Sequence, residues 1–254
     1  MNKRLGLSIL AAALCAAAGF FLPGLLVKAP LAYIKAILVG GFQEVMMFGL
    51  PAVLLLRGMG ITAANARSQF RLPTSMDAGL SLLGAVAYTL TGTLLSVLTY
   101  LLLQSIGLHI TLPDIPAPGT PVELMAALLF IALLTALCEE LLFRWALVEL
   151  LKKRVSWKTA AFISAILFTA LHFSLIATPA LFLFALLQHR LASRKESLLL
   201  PILFHAMYNG SILVMTYANA EPGLGTMLLS AVIFIVSMRM LFKEDADEIH
   251  RSGL

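Results

Sequence analysis

Charge is what this chain has least of. Only 12% of its 254 residues are Asp, Glu, Lys or Arg, 60% are hydrophobic, and the mean hydropathy is +0.95. A soluble domain carries about 25% charged residues, so a water-soluble fold of any size is excluded. Cysteine is nearly absent: Cys15 and Cys138 both lie in apolar runs, and two cysteines make no disulfide framework. Burial in apolar surroundings makes a thiol inert, which argues against Cys138 as a nucleophile although it precedes Glu139. Internal repeats and low-complexity segments are missing, and so is a His-Glu-x-x-His zinc motif. The net charge of +5 is no nucleic-acid footprint, because the basic residues fall between apolar runs.

What is present is a series of apolar runs. They predict an all-α, polytopic membrane protein with about eight spans, at 5–27, 31–56, 77–106, 122–151, 159–175, 179–188, 198–217 and 224–242, followed by a short polar tail. The sixth is short, and it reads as tilted or only partly crossing. Asn2-Lys3-Arg4 before an alanine-rich run also resembles a signal peptide. The apolar stretch continues past Ala16-Ala17-Ala18 to Val27, which favours a retained helix. Fifteen of the eighteen Lys and Arg residues fall at the N-terminus, after spans 2, 4 and 6, or at the end of span 8 and beyond. The positive-inside rule then places both termini in the cytoplasm, a pattern that fits a bacterial inner membrane. The chain reads as one membrane domain, with residues 1–120 supplying spans 1–3 and an external loop, and residues 121–254 the part that carries the chemistry.

That chemistry centres on Cys138-Glu139-Glu140-Leu141-Leu142-Phe143-Arg144, which follows fifteen uncharged residues, Leu124 to Cys138. A charge at the bilayer centre costs roughly 2.5–3.5 kcal/mol on insertion scales, and intramembrane ionisable residues mark function by default. Glu140 and Arg144 are spaced i,i+4 with the acid first, the favourable order for an ion pair. Glu139 is rotated by about 100° from Glu140 and cannot easily share that pair. Glu44 in span 2 is another intramembrane carboxylate, read here as a partner for a neighbouring helix.

Two further spans carry polar residues at matching depth. Glu139 precedes Lys152 by roughly 20 Å of helix, His172 follows Lys158 by roughly 21 Å, and His205 follows Lys195 by roughly 15 Å. His205 and Asn209 share a helix face. Convergence on one cavity follows as an expectation.

Glu139-Glu140-x-x-x-Arg144, Phe168-x-x-x-His172 and His205-x-x-x-Asn209 resemble the three motifs of the CPBP family. Its members include type II CAAX prenyl endopeptidases and Abi-type bacteriocin-processing or immunity proteins. The resemblance covers about residues 123–218. It implies an eight-helix intramembrane peptidase without a metal cofactor, acting on a hydrophobic or lipidated peptide or protein within the bilayer. It carries the catalytic roles to Glu139, His172, His205 and Asn209. Glu139 would activate water, His172 would assist, and His205 with Asn209 would stabilise the oxyanion, while Glu140, Arg144 and Phe168 would give structural support. Three other readings stay open: a zinc hydrolase with Glu139, His172 and His205 as ligands, a membrane scaffold or immunity protein without activity, and a proton-coupled transporter. The missing repeat between halves weighs against the transporter.

Overall fold

The computed structural model describes residues 3–26, 32–111, 117–193 and 197–252, with the side chains of 26, 63 and 244–252 left aside. All regular structure among the described residues is helical. We number the helices α1 (Lys3–Leu26), α2 (Tyr33–Gly58), α3 (Ala63–Ser68), α4 (Ser75–Ser105), α5 (Pro121–Leu151), α6 (Trp157–Ala170), α7 (Thr178–Ser193), α8 (Leu199–Tyr217) and α9 (Leu224–Ser252). Six of them, α1, α2, α4, α5, α8 and α9, are long and apolar enough to cross a membrane. Helices suit that setting because every backbone hydrogen bond closes within the segment. The chain is therefore a multi-pass membrane protein.

Two expectations change. The predicted fifth span ends early: α6 has 14 residues, about 21 Å, and α7 has 16, about 24 Å, each shorter than the ~30 Å hydrocarbon core. The two pack on each other as a hairpin. Helices stand at all eight apolar runs, and six of them are long and apolar enough to cross a membrane, with this hairpin between the fourth and the fifth of the six. The reason for the early end is the turn between α6 and α7, where Leu171 caps α6 and Phe173 takes a left-handed φ of 48°. The hairpin also extends α7 past Gln188, so that His189, read as a loop residue, lies inside the helix and is buried. The polar tail continues the last span, since α9 runs on as helix to Ser252.

Packing follows the small residues. α4 lies against α9 and α8. A Cβ on Gly84 would run into the Met238 side chain and come within 3.5 Å of Phe204, so this glycine sets the approach of three helices. Tyr88 of α4 donates its hydroxyl to the Ala180 carbonyl of α7 at 2.6 Å, which ties the hairpin to the bundle. Ser197 donates to the Arg71 carbonyl and the Leu198 amide to that of Gln69, both at 2.7 Å. The loops before α4 and before α8 thus meet on one side of the bundle, as the basic-loop pattern requires.

Two long helices are not regular throughout. α2 widens into a π turn at Val45–Gly49, and α5 does so twice, at Leu128–Leu134 and Leu141–Ala146. A π turn inserts a residue and re-aims the side chains around it, and such turns gather at functional sites. Ser164 of α6 donates to the carbonyl of Phe143, inside the last of these turns, at 2.6 Å. That bond occupies a carbonyl in the irregular part of the helix and fixes α6 against α5.

Candidate active site

A cavity of about 350 Å³ lies between α2, α5, the α6–α7 hairpin and α8. Glu139, His172, His205 and Asn209 all line it. The three sequence stretches that the depth argument brought together do meet. One correction concerns His172: it stands in the turn after α6 rather than on a helix. Its Nδ1 lies 2.8 Å from the Phe168 carbonyl. A carbonyl only accepts, so this nitrogen carries the hydrogen, and Nε2 of the neutral ring is left as an acceptor. The four-residue spacing of the Phe168-x-x-x-His172 motif is what lets the ring reach back over that turn.

The two adjacent glutamates have opposite surroundings. Glu140 is fully buried and saturated with partners. Its Oε2 accepts from Arg144 Nε at 2.9 Å, and its Oε1 lies 2.8 Å from His205 Nδ1. Arg144 in turn faces His189, with Nη1 donating to Nε2 at 3.4 Å, and its guanidinium lies 4.6 Å from the centre of the Phe168 ring. This is a continuous line across three elements: His189 on α7, Arg144 and Glu140 on α5, His205 on α8. Breaking a buried ion pair by removing one partner costs about 3–5 kcal/mol, because the other charge is stranded.

Glu139 has none of this. It is 5% exposed, and its Oε2 makes no hydrogen bond. The nearest nitrogen of a basic side chain is His205 Nε2 at 3.6 Å, beyond hydrogen-bond range. The carboxylate therefore lines the cavity with an acceptor to spare. His205 sits between the two glutamates, its Nδ1 committed to Glu140 and its Nε2 turned to Glu139.

Aromatic rings hold these groups in place. Phe168, 1% exposed, lies 4.6 Å from the His172 ring and 6.3 Å from that of His205, and it meets Phe143 edge-on at 5.3 Å. Phe184 abuts His205 edge to face at 4.9 Å. Asn209 uses its amide to donate to the Ile131 carbonyl at 3.3 Å, inside the first π turn of α5. An Asn amide has two hydrogens, so one remains for a ligand in the cavity.

Further residues complete the cavity and the network. Glu44 and Gln43 of α2 line the cavity, and Glu44 Oε2 has no hydrogen-bond partner, so it is not the inter-helix partner expected of it. Tyr208 lines it as well, from within the His205–Asn209 stretch. Gln188 donates to the Pro201 carbonyl at 2.9 Å and pins α7 to α8. The signal for His189 and Gln188 was their adjacency at the end of an apolar run, masked by the arginine that follows. Cys138 is buried beside Gly49 and free, an inert packing residue by its setting.

Among the described residues no three His, Cys, Asp or Glu side chains are grouped to hold an ion.

Comparison with known proteins adds one finding. No curated protein and no solved structure matches the chain. Residues 121–211, which run from the start of α5 into α8 and include Glu139, Glu140, Arg144, Phe168, His172, His205 and Asn209, match the Rce1-like family, described as type II CAAX prenyl endopeptidase Rce1-like. The matched segment holds all three motif stretches, and these fold around one intramembrane cavity, so in this part the chain is similar to the type II CAAX prenyl endopeptidases.

Proposed function

We propose that the protein is an intramembrane endopeptidase that hydrolyses a peptide bond of a hydrophobic or lipidated, membrane-associated substrate. The observation that carries this is the Glu139 carboxylate, buried in the cavity wall with an unused acceptor oxygen, beside two histidines and an asparagine. Peptide hydrolysis needs a base for water and donors for the carbonyl oxygen. Glu139 removes a proton from a water that also donates to His172 Nε2. The hydroxide attacks the peptide carbonyl carbon, and the carbonyl π electrons move onto oxygen. The oxyanion accepts from the second amide hydrogen of Asn209 and from His205 Nε2–H. That last donor requires a hydrogen on Nε2 in addition to the one that Nδ1 shares with Glu140. As the tetrahedral adduct collapses, the C–N bond breaks and the proton held by Glu139 passes to the departing amine, directly or through His172. Glu140 and Arg144 do not touch the reacting atoms; they position His205.

The test is cleavage of a hydrophobic reporter peptide by the purified protein in detergent, run in ¹⁸O-water. Expected is one heavy oxygen in the new carboxyl product, loss of product with Glu139→Ala, and the same rate with and without a chelator. Product that survives Glu139→Ala would refute the assignment. Loss of rate in chelator would move the chemistry to a metal.

A further inference from the structure

The wall of the cavity opposite the motif residues belongs to α2, outside the segment matched to the family. Gly40, Gly41, Gln43, Glu44, Met47 and Phe48 all face in, a spacing that puts one side of a helix against the space. Two features make this wall chemically specific. Gly40 has nothing within 4 Å of the point where a Cβ would stand, so that part of the cavity is open to an incoming chain. Glu44 is the last residue before the π turn Val45–Gly49, and its Oε2 is buried without a hydrogen-bond partner.

The charge balance of the cavity is uneven. Glu44 and Glu139 both line it and act on each other electrostatically. No lysine or arginine is among its lining residues. Arg144 is spent on Glu140 and His189, behind the cavity wall. Lys35, on the same helix as Glu44, is nine residues away, about 13 Å of rise, and is exposed. His205 gives its Nδ1 to Glu140, and His172 gives its own to Phe168. Gln43 donates away from the cavity, to the Gly19 carbonyl of α1 at 3.4 Å. Two carboxylates near each other in a low-dielectric space repel unless a cation or a proton comes between them. The rings of Phe48 and Phe130 line the same cavity as Glu44, and aromatic faces favour a cation near their centres.

We propose that Glu44 is the counterion of a specificity subsite that takes a lysine or arginine side chain of the substrate, next to the peptide bond that Glu139 addresses. The aliphatic stem of such a residue packs on the α2 and α5 aromatics, and its charged head meets the carboxylate. The substrate brings the cation that the cavity lacks. This rests on the endopeptidase reading and narrows it, from any hydrophobic segment to one with a single basic residue at the cleavage site.

The experiment measures kcat/KM for N-acetylated hydrophobic reporter peptides. Each carries Ala, Lys, Arg or Glu at one position flanking the scissile bond, and each is tested with wild type, Glu44→Gln, Glu44→Asp and Glu139→Gln. The readout is the Lys-to-Ala ratio at each position, not the absolute rate. Expected is one position where Lys and Arg exceed Ala by about tenfold or more in wild type, the effect of a close charge pair in a poorly hydrated site. Glu44→Gln brings that ratio near one, Glu44→Asp keeps most of it, and Glu139→Gln cleaves nothing. A wild type that shows no basic preference, or a preference that survives in Glu44→Gln, overturns the subsite and leaves the peptidase standing. If Glu44→Gln does not fold, Glu44→Asp and the wild-type scan decide in its place, since loss of the basic preference in the folded Asp variant or its absence from the wild-type scan is equally fatal. A wild type that cleaves none of the peptides overturns the endopeptidase reading, and the subsite falls with it.

Discussion

Glu139 and Glu140 are neighbours in sequence and equally buried, yet they live in different chemical worlds. The Glu140 side of α5 is closed: both carboxylate oxygens are taken, the arginine is held from two directions, and His205 is fixed by its Nδ1. The Glu139 side is open: one oxygen has no partner, and a cavity of about 350 Å³ lies in front of it. A helix turn of about 100° is enough to separate them. The difference teaches that burial alone does not identify a reactive group. What distinguishes the candidate base is an oxygen without a hydrogen-bond partner, whereas the carboxylate one residue on has both oxygens engaged.

The comparison can be broken from either side. The largest effect belongs to Glu139→Gln, which keeps shape and removes the base. Cleavage should fall by roughly 10²–10⁴-fold, while the unfolding temperature in detergent stays close to wild type. Glu140→Gln should do the reverse in emphasis. It strands the Arg144 charge and loosens His205, so stability drops by about 3–5 kcal/mol, read as a lower unfolding midpoint, and activity falls with it. If the two variants gave the same pair of changes, the distinction between open and closed sides would be lost.

A third substitution sharpens the open side. Asn209→Ala removes an oxyanion donor and should lower kcat by about 10²–10³-fold with a much smaller change in KM. A change confined to KM would make Asn209 a binding residue instead. The smallest effect is expected behind the network. His189→Ala takes one hydrogen bond from Arg144, worth about 1.5–3 kcal/mol for a charged group, without touching the cavity. Thermal unfolding should register it, and His189→Gln, which still offers an acceptor, should recover part of the loss.

Much of this was legible in the chain itself. The apolar runs and the excess of basic residues between them gave the membrane class and most helix positions. The i,i+4 spacings of Glu140 with Arg144 and of His205 with Asn209 gave real local geometry. Depth counting gave the convergence of three stretches, because helical rise is nearly constant. The failures have physical causes as well. The turn at Phe173 carries no glycine or proline to announce it, so α6 was read too long and His172 was put on a helix. His189 was hidden because an arginine follows it and a charged residue looks like the end of a span. Glu44 was read as a partner for a neighbouring helix, because periodicity does not say which groups face it, and it lines the cavity instead. The link from Glu140 to His205 joins positions 65 residues apart, a long-range contact that no spacing encodes.

The central claim is that Glu139, and not the paired glutamate beside it, is the group that acts. The most direct measurement is the cleavage rate of one hydrophobic reporter peptide by wild type and by Glu139→Gln at matched folded fraction, verified by unfolding of the same samples. A fully folded Glu139→Gln protein with cleavage reduced by at least about 100-fold is the predicted result. A folded Glu139→Gln protein that cleaves at a rate near wild type would contradict the account.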